Sequence, residues 1–457
     1  MFGLLLWLAC APAIEFIPWS EARRVIEAIA PEALPEELRS RPAHAREAAW
    51  AGWVRERDRA IRRRLASGIE DSLAHFLLFG TSFTREPRLT AAELGASKDP
   101  DNLRTKLAGR LRDLVAALGR EPANERVLFL RGFLRTRGLG AGSEAEREQT
   151  AHYLVDNLAR VLRENESYSR TLEAAQALQD PSAEFAERSR AFRNRGLSSD
   201  TSLLPNLAIE ESLRDLGERG LLARGSVRRV AVVGPGLDFT DKQDGYDFYP
   251  QQSLQPFALA DSLLRLGVAS ADQLAILTLD LSPQVNDHLE HAAAAGRRGE
   301  GYVLQLPRDS RVAWSAQADR YWRSFGDAAG EPVAPLPPPV EAGTVETRAA
   351  RIRPAIVGQL QVLDANVVFQ RPRFGPGEEL DLIVATNVLV YYDVFEQCLA
   401  LANAAAMLRV GGLLLSNNAV LELPGSEMRS VGYRTTAYSD REGDGDHLVW
   451  YRKLIVE

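Results

Sequence analysis

The amino-acid sequence predicts a mainly parallel α/β domain preceded by an all-α domain. Over residues 19–222 apolar residues recur at three- and four-residue spacing, as in "LAGRLRDLVAALG", and strand candidates are almost absent. From residue 223 short apolar runs such as "RVAVVG", "LAILTLD" and "LDLIVAT" alternate with helical stretches, which is typical of parallel strands covered on both faces. The C-terminal "SVGYRTTAYSDREGDGDHLVWYRKLIV" alternates around a Gly/Asp-rich turn, which predicts an antiparallel hairpin.

A long insertion, about residues 299–353, interrupts the strand and helix alternation of the second half. It holds Trp314, Tyr321, Trp322 and the proline-rich run "PVAPLPPPVE". An insertion of this length inside a compact domain is more often a lid, a docking surface or a linker than a core element. We therefore expect the insertion and the helical domain to recognise a substrate.

Composition excludes several classes of function. The formal net charge of −7 gives no overall field that would attract nucleic acid, so a nucleic-acid substrate is not expected. The 2 cysteines, Cys10 and Cys398, are too few for a disulfide framework. His288 and His291 lie three residues apart without a second pair of ligands, so no metal site is predicted. No integral membrane span is expected, and the sequence does not indicate an oligomeric state.

Residues 1–18 form a hydrophobic N-terminal segment, "MFGLLLWLACAPAIEFIP". The apolar run has the length of a signal peptide and a small-residue "APA", but no Lys or Arg precedes it. It is also too short to span a bilayer comfortably. Two interpretations follow: an atypical export signal, or a helix packed on a cytoplasmic protein, which we favour.

Glycines and polar residues follow the carboxyl ends of the strand candidates, the edge where open α/β sheets bind ligands. They are Gly234 and Gly236, Asp280, Asp364 and Asn366, and Asn387 with Tyr391. Glycine permits close approach of a ligand to the backbone, and a carboxylate at a strand end is placed to accept hydrogen bonds from ribose hydroxyls. A dinucleotide-binding G-x-G-x-x-G motif would need a third glycine where Phe239 stands, which weakens a nicotinamide-linked interpretation.

The segment between the first strand and its helix, "LDFTDKQDGYDFYPQQSLQPF", is rich in acids and aromatic residues. We expect acidic and aromatic residues of this segment to shape the ligand pocket, with one of them acting as a general base. These residues are Asp238, Asp241, Tyr246, Asp247 and Tyr249. A second polar segment, "FRNRGLSSDTSLLPN", precedes the α/β domain, and we expect it to fold across the mouth of the pocket.

Together these features resemble the class I S-adenosylmethionine-dependent methyltransferases. The resemblance covers about residues 225–457, and "NVLVYYD" with the later "LRVGGLLL" is similar to chemotaxis-receptor glutamate methyltransferases. The chain departs from that family after the first strand, where "GPGLDFTDKQDGYDFYP" replaces a Gly-Glu pair and a small-residue loop. The resemblance implies a seven-stranded Rossmann-like sheet and S-adenosyl-L-methionine as the cofactor, and leaves the substrate open.

The resemblance also implies roles for the residues at the strand ends. Gly234, Gly236 and Asp238 would line the methionine and ribose part of the cofactor, with Asp280 on the ribose hydroxyls. Asp364 and Asn366 would face the adenine. Asn387, Tyr391 and Tyr249 would border the transferring methyl group, and Asn387 would also contact the cofactor.

Other interpretations remain open. Each residue has a structural alternative: a tight turn for the glycines, a helix cap for Asp280 and a core position for Tyr391. For the whole protein the alternatives are a non-catalytic scaffold with a degenerate methyltransferase fold, or an NAD(P)-linked oxidoreductase. If the chain is a methyltransferase, the expected acceptor is a small molecule or a protein side chain.

Overall fold

The computed structural model describes residues 12–89, 100–121, 124–177, 196–198, 201–239, 246–441 and 443–455. The first half is helical apart from a short strand, β1 (Ile14–Phe16). Its helices are α1 (Trp19–Ala28), α2 (Glu36–Arg39), α3 (Ala43–Phe79), α4 (Pro100–Leu118), α5 (Glu125–Thr136), α6 (Glu144–Ala177) and α7 (Leu204–Glu218). Residues 1–11, which hold most of the predicted hydrophobic N-terminal segment, lie outside the described residues.

The second half alternates strands and helices. Its strands are β2 (Arg229–Val233), β3 (Ala275–Asp280), β4 (Tyr302–Asp309), β5 (Gly330–Val333), β6 (Val345–Ile352), β7 (Leu360–Asp364), β8 (Gln370–Pro372), β9 (Leu380–Ala385), β10 (Leu408–Ser416), β11 (Met428–Ala437) and β12 (Gly445–Lys453). Its helices are α8 (Gln255–Arg265), α9 (Pro283–Arg297), α10 (Ala316–Ser324), α11 (Pro354–Val357) and α12 (Val394–Met407).

Seven of these strands form the central sheet, in the order β11-β12-β10-β9-β2-β3-β7. The pairs from β10 to β7 are parallel, while β12 runs antiparallel to both β10 and β11. The first strand of this sheet in chain order, β2, lies in its middle. Strands β3 and β7 follow on one side of β2, β9 and β10 lie on its other side, and the chain ends in the β11–β12 hairpin. This topology confirms the predicted fold class.

The buried sequence of β2 shows why the sheet has two covered faces. Val230 and Val232 pack into one hydrophobic cluster with α7, α8 and α9, whereas Ala231 and Val233 pack into another with α1 and α12. Successive side chains of a strand point to opposite faces, so a strand between two helical layers must be apolar throughout.

Helix α12 begins with a capping box in which Asp393 and Glu396 satisfy each other's backbone N–H groups.

Among the elements of the first half, helix α7 packs on this sheet, and strand β1 pairs with β8, a strand outside it. Helix α7 shares a hydrophobic cluster with the sheet. Asp215 of α7 forms a salt bridge with Arg434 of β11, with 2.9 Å between Oδ1 and Nη1. Strand β1 pairs antiparallel with β8, from Ile14 opposite Pro372 to Phe16 opposite Gln370. The C-terminal part of α3 forms a separate hydrophobic cluster with α4, α5 and α6.

The insertion contains a small antiparallel sheet of order β4-β6-β5, together with α10. Trp322 of α10 is buried against this sheet and donates a hydrogen bond from Nε1 to the carbonyl oxygen of Leu306 at 3.0 Å. Arg308 lies over the rings of Trp314 and Trp322, 5.2 and 4.6 Å from their centroids. The insertion is thus a packed substructure with its own strands.

Candidate active site

A cavity of about 120 Å³ lies at the carboxyl ends of β2, β3, β7 and β9. Its lining combines these strand ends with residues from α3, α7, α8 and the segment before α7. The lining residues are Leu65, Leu197, Ser198, Thr201, Ser202, Pro205, Asn206, Val233, Gly234, Gln255, Leu279, Asp280, Leu281, Ala365, Val367, Thr386, Asn387, Val388, Tyr391 and Tyr392. The carboxyl ends of parallel strands meet at one edge, and the structure forms its cavity there.

Gly234, the first residue of the glycine bend after β2, lines the cavity, whereas Gly236 is not among its lining residues. Gly234 and Gly236 both have φ of 65°, a backbone conformation that other L-residues adopt only with strain. A β-carbon on Gly234 would lie 2.7 Å from Cγ2 of Val388. The chain therefore needs glycine at position 234 for its backbone angle and for its close contact with the segment after β9.

Asp280 ends β3 beside this bend and is buried. Its Oδ1 accepts the backbone N–H of Ser282 at 2.8 Å, and the backbone N–H groups of Gly236 and Leu281 also favour the charged form of the carboxylate. Burial raises the pKa of Asp280 to about 6, against the opposing effect of these N–H groups. At neutral pH the group is a carboxylate at the cavity wall, available to accept hydrogen bonds from a ligand.

Asn387 and Tyr391, which follow β9, also line the cavity. Asn387 has φ of 58° and is the non-glycine residue with positive φ in the described part of the chain. Its backbone N–H donates to Oδ1 of Asn417 at 2.8 Å, and its own Oδ1 accepts from Nδ2 of Asn417 at 2.5 Å. The carbonyl oxygen of Tyr391 accepts a hydrogen bond from Arg64 of α3 at 3.1 Å. The structure thus brings both predicted residues to the cavity.

Residues of the helical region form a part of the cavity lining that does not come from the sheet edge. Leu65 of α3 and Leu197 both line it, and the backbone N–H of Leu197 donates to the carbonyl oxygen of Arg64 at 3.2 Å. The two segments cross so closely that a β-carbon on Gly68 would lie 1.8 Å from the carbonyl oxygen of Leu197. The described part of residues 192–206 therefore lies across the cavity, as predicted, while residues 192–195, 199 and 200 lie outside the described residues.

Asp364 and Asn366 do not line the cavity. Asp364 is largely exposed and its Oδ1 accepts from Arg62 of α3 at 2.6 Å. Asn366 is buried, donates from Nδ2 to Asp58 at 2.9 Å and accepts the N–H of Val368 at 3.2 Å. Their neighbours Ala365 and Val367 line the cavity instead. The segment after β7 thus presents small and apolar side chains to the cavity.

Asp238 and Tyr249 also lie outside the cavity lining. The Tyr249 hydroxyl donates to Oδ2 of Asp238 at 2.5 Å, and Nε2 of Gln252 donates to the same oxygen at 3.1 Å. All three side chains are buried. Within the described residues this group forms an internal hydrogen-bond cluster behind the cavity wall. Asp241, in the same predicted segment, lies outside the described residues.

Three polar lining residues, Gln255, Thr386 and Asn206, were not singled out from the sequence. Nε2 of Gln255 donates to Oγ1 of Thr386 at 2.6 Å, which joins the start of α8 to the end of β9. Asn206 of α7 is buried, and its side-chain oxygen has no hydrogen-bond partner among the described residues. Asn206 is the last residue of the predicted mouth segment "FRNRGLSSDTSLLPN", and Gln255 lies in the segment predicted between the first strand and its helix, so the two segments were predicted but not these side chains.

The donor and acceptor set suits an S-adenosylmethionine-type ligand. A carboxylate at the tip of β3 matches ribose hydroxyls, the bend at Gly234 leaves backbone accessible, and Ala365 and Val367 offer an apolar surface for a base. The unpartnered oxygen of Asn206 is an acceptor for an ammonium group. The residues present therefore fit the cofactor that the sequence resemblance implies.

Strand order, terminal hairpin and cavity position define the class I S-adenosylmethionine-dependent methyltransferase fold. No protein-family model matches the chain, and no curated protein matches it.

Solved methyltransferase structures resemble the chain at a low level. The N-methyltransferase NodS from Bradyrhizobium japonicum WM9 is 14% identical, with 54% of this chain and 95% of that chain covered and a TM-score of 0.25. An O-methyltransferase family protein from Burkholderia thailandensis is 14% identical, with 91% and 99% covered and a TM-score of 0.26. The rRNA methyltransferase aviRa from Streptomyces viridochromogenes is 9% identical, with 53% and 83% covered and a TM-score of 0.24. The fold assignment therefore rests on the strand order described above.

Metal-binding clusters and membrane-spanning helices are both absent from the described residues. They contain no group of three or more His, Cys, Asp or Glu arranged to hold a metal ion. None of the helices in that part of the chain combines the length and the hydropathy of a membrane span.

Proposed function

We propose that this chain binds S-adenosyl-L-methionine and transfers its methyl group to a small molecule or a protein side chain. The observation that carries the proposal is the buried carboxylate of Asp280, which faces the cavity beside the bend at Gly234. Burying a carboxylate costs free energy, and the raised pKa reflects this cost. A carboxylate that only capped a turn would not need to be buried in a cleft. The cost is understandable if a ligand with several hydroxyl donors completes its hydrogen bonds.

The roles of the cavity residues follow from their positions. Asp280 holds the ribose hydroxyls, Gly234 admits the ligand close to the backbone and Gly236 orients the carboxylate through its N–H. The segment around Asp364 and Asn366 bounds the base through Ala365 and Val367.

Asn387 and Tyr391 border the acceptor side of the cavity. The cofactor supplies an activated methyl group on a sulfonium, so that the methyl moves to the acceptor's lone pair and the C–S electrons stay on sulfur. The ionisable side chains of the lining are Asp280, Tyr391 and Tyr392, and burial raises the pKa of Tyr392 well above its usual range. These residues therefore act mainly by orienting the acceptor, and alignment of this kind contributes about 7–11 kcal/mol to catalysis.

Tyr249 and Asp238 take a supporting role in this proposal. Their mutual hydrogen bond and burial fix the segment that follows Gly236. The helical region and the insertion are the parts proposed to recognise the acceptor. A cytoplasmic location accords with the cofactor, which is supplied there.

Titration of S-adenosylmethionine into wild type and Asp280→Ala by calorimetry tests the proposal. Loss of a charge-assisted acceptor costs on the order of 1.5–3 kcal/mol, so the variant should bind about ten- to a hundredfold more weakly. Asp364→Ala is the matched control, because it removes the carboxylate at the end of the neighbouring strand, which is exposed and bound to Arg62. Equal affinity in wild type and Asp280→Ala would contradict the proposal.

A scaffold function is favoured by a different observation. The acceptor wall of the cavity presents Asn387 and Tyr391 but no His, Lys or Cys side chain in its described lining. A folded protein that binds neither S-adenosylmethionine nor S-adenosylhomocysteine would support this second candidate.

A further inference from the structure

Two buried charged residues link the helical region to the segment that follows the glycine bend. One is Arg126 of α5, and the other is Asp247, which lies between β2 and α8. We propose that Arg126 and Asp247 are positioning residues that set the glycine bend, so that cofactor binding depends on the helical region. This inference rests on the proposed function.

Arg126 is fully buried and donates hydrogen bonds to backbone carbonyl groups on both described sides of the segment. Nε donates to Phe239 at 2.7 Å and Nη2 to Asp238 at 2.9 Å. Nη1 donates to Asp247 at 3.2 Å and also to Tyr249. One guanidinium thus ties residues 238–239 to residues 247–249.

Asp247 makes the reciprocal contact. Its Oδ1 accepts the backbone N–H and the hydroxyl of Thr81 at 2.7 and 2.6 Å, just after the end of α3. Its Oδ2 accepts the backbone N–H of Ser82 at 3.1 Å and the Ser82 hydroxyl. The carboxylate is completely buried and these four donors satisfy it. A buried charge is tolerated when hydrogen bonds replace its water, so this contact fixes the relative position of both segments.

Further contacts reinforce the link. The side chain of Phe239 packs between Phe76 and Phe129 of the helical region, with ring centroids 5.6 and 5.7 Å away. Glu125, next to Arg126, accepts the backbone N–H of Gln251. The segment after β2 is therefore held by α3 and α5 through charge, hydrogen bonding and aromatic packing.

The link reaches the cavity within two residues. Arg126 donates a hydrogen bond to the backbone carbonyl of Asp238. The carbonyl oxygen of the preceding residue, Leu237, accepts the N–H of Thr201 at 3.3 Å, and Thr201 lines the cavity. Before Leu237 stands Gly236, whose N–H favours the charged form of Asp280. A displacement of residue 238 must therefore alter the bend and the hydrogen bonding of Asp280, because both belong to the same short stretch of backbone.

The experiment compares Arg126→Lys and Thr81→Val with a matched control, Arg348→Lys. Arg348 also donates to backbone carbonyl oxygens, of Trp322 and Phe325, but it lies in the insertion sheet and does not line the cavity. S-adenosylhomocysteine is titrated by calorimetry well below the unfolding midpoint of each protein. Hydrogen exchange is measured without added cofactor for a peptide covering residues 229–239 and, as a reference, for one covering β12.

We expect S-adenosylhomocysteine to bind about tenfold more weakly to Arg126→Lys and Thr81→Val, which lose charge-assisted hydrogen bonds that order the bend. The same variants should exchange amide protons faster in residues 229–239, while Arg348→Lys changes neither quantity. A general loss of stability would not confine the exchange change to this peptide. If Arg126→Lys does not fold, Thr81→Val alone decides the test.

Affinity within about twofold of wild type in the folded variants would overturn the inference. If the wild type itself binds no S-adenosylhomocysteine, the proposed function fails, and the exchange measurement still tests the link. Unchanged exchange in residues 229–239 of both variants would then overturn it.

Discussion

The backbone N–H of Gly236 acts on the carboxylate of Asp280 and lowers its pKa, so the bend after β2 and the acid at the end of β3 form one electrostatic unit. The two strands pair in parallel from Arg229 opposite Ala275 to Val233 opposite Leu279. This register brings the strand ends to the same height, and the bend then turns its N–H towards the acid. A ligand held by the carboxylate must therefore lie against the glycine bend.

Cofactor binding should depend on pH through Asp280, whose pKa burial raises to about 6. The ionised form is the better acceptor for ribose hydroxyls, so affinity should be constant above about pH 7 and fall by about tenfold per pH unit well below the pKa. Calorimetric titration of S-adenosylhomocysteine between about pH 5 and 8 measures this. Asp280→Asn should bind weakly and lack the pH dependence; a parallel pH profile in this variant would exclude Asp280 as its source.

The stability of the protein without cofactor should show the opposite trend. A carboxyl whose pKa is higher in the folded state binds its proton more tightly there, so folding gains from Asp280 at low pH. This contribution should disappear as pH rises from about 4, the ordinary pKa of an aspartate, to about 6. Other carboxyls titrate in this range, so the quantity to measure is the difference in unfolding free energy between wild type and Asp280→Asn by urea denaturation. A difference that does not change with pH would count against the raised pKa.

Replacement of Gly234 by alanine should reduce both stability and cofactor affinity. The φ of 65° imposes a strain of about 1–2 kcal/mol on an L-residue, and the new β-carbon would approach Val388 at 2.7 Å. Gly220→Ala is the control, because Gly220 has φ of 71° and nothing within 4 Å of its β-carbon position. Both variants should unfold at lower temperature, but Gly220→Ala should bind S-adenosylhomocysteine like wild type. Equal loss of affinity in both variants would show that strain alone, and not the site, is responsible.

The sequence analysis predicted the strand ends well because the pattern there is local. Each of β2, β3 and β9 is mainly apolar and buried, and the residues at the carboxyl ends of these runs, Gly234, Asp280 and Thr386, mark the edge of the sheet. The parallel fold with its terminal hairpin followed from the same runs. Strands β4 and β6 were missed because "YVLQLPRD" and "VETRAARI" carry proline or charged residues, which a small, half-exposed sheet accommodates.

The contacts of side chains after the strand ends depend on partners far away in sequence. Asp364 and Asn366 follow β7 as the pattern indicates, but Arg62 and Asp58 of α3, about 300 residues earlier, bind their side chains. The same helix brings Leu65 to the cavity. No local pattern reveals that a long amphipathic helix will cross this edge of the sheet, so the helical half of the site could not be derived from spacing alone.

The crossing of α3 and residue 197 supplies the last prediction, on Gly68→Ala. A β-carbon at position 68 would lie 1.8 Å from the carbonyl oxygen of Leu197 and 2.6 Å from its carbonyl carbon. Both are backbone atoms, so no side-chain rotation relieves the clash and the two segments must separate. Leu65 and Leu197 both line the cavity, and the hydrogen bond from Leu197 to Arg64 lies within the same crossing. We expect a lower unfolding midpoint and weaker binding of S-adenosylhomocysteine.

Gly52→Ala provides the control within the same helix, since nothing lies within 4 Å of its β-carbon position. Alanine is more favourable than glycine inside a helix by about 1 kcal/mol, so Gly52→Ala should raise the unfolding midpoint without changing affinity. Differential scanning calorimetry and cofactor titration of both variants separate the two effects. Wild-type affinity in a folded Gly68→Ala protein would mean that α3 does not form the upper wall of the binding site, because the crossing could then open without consequence for the ligand.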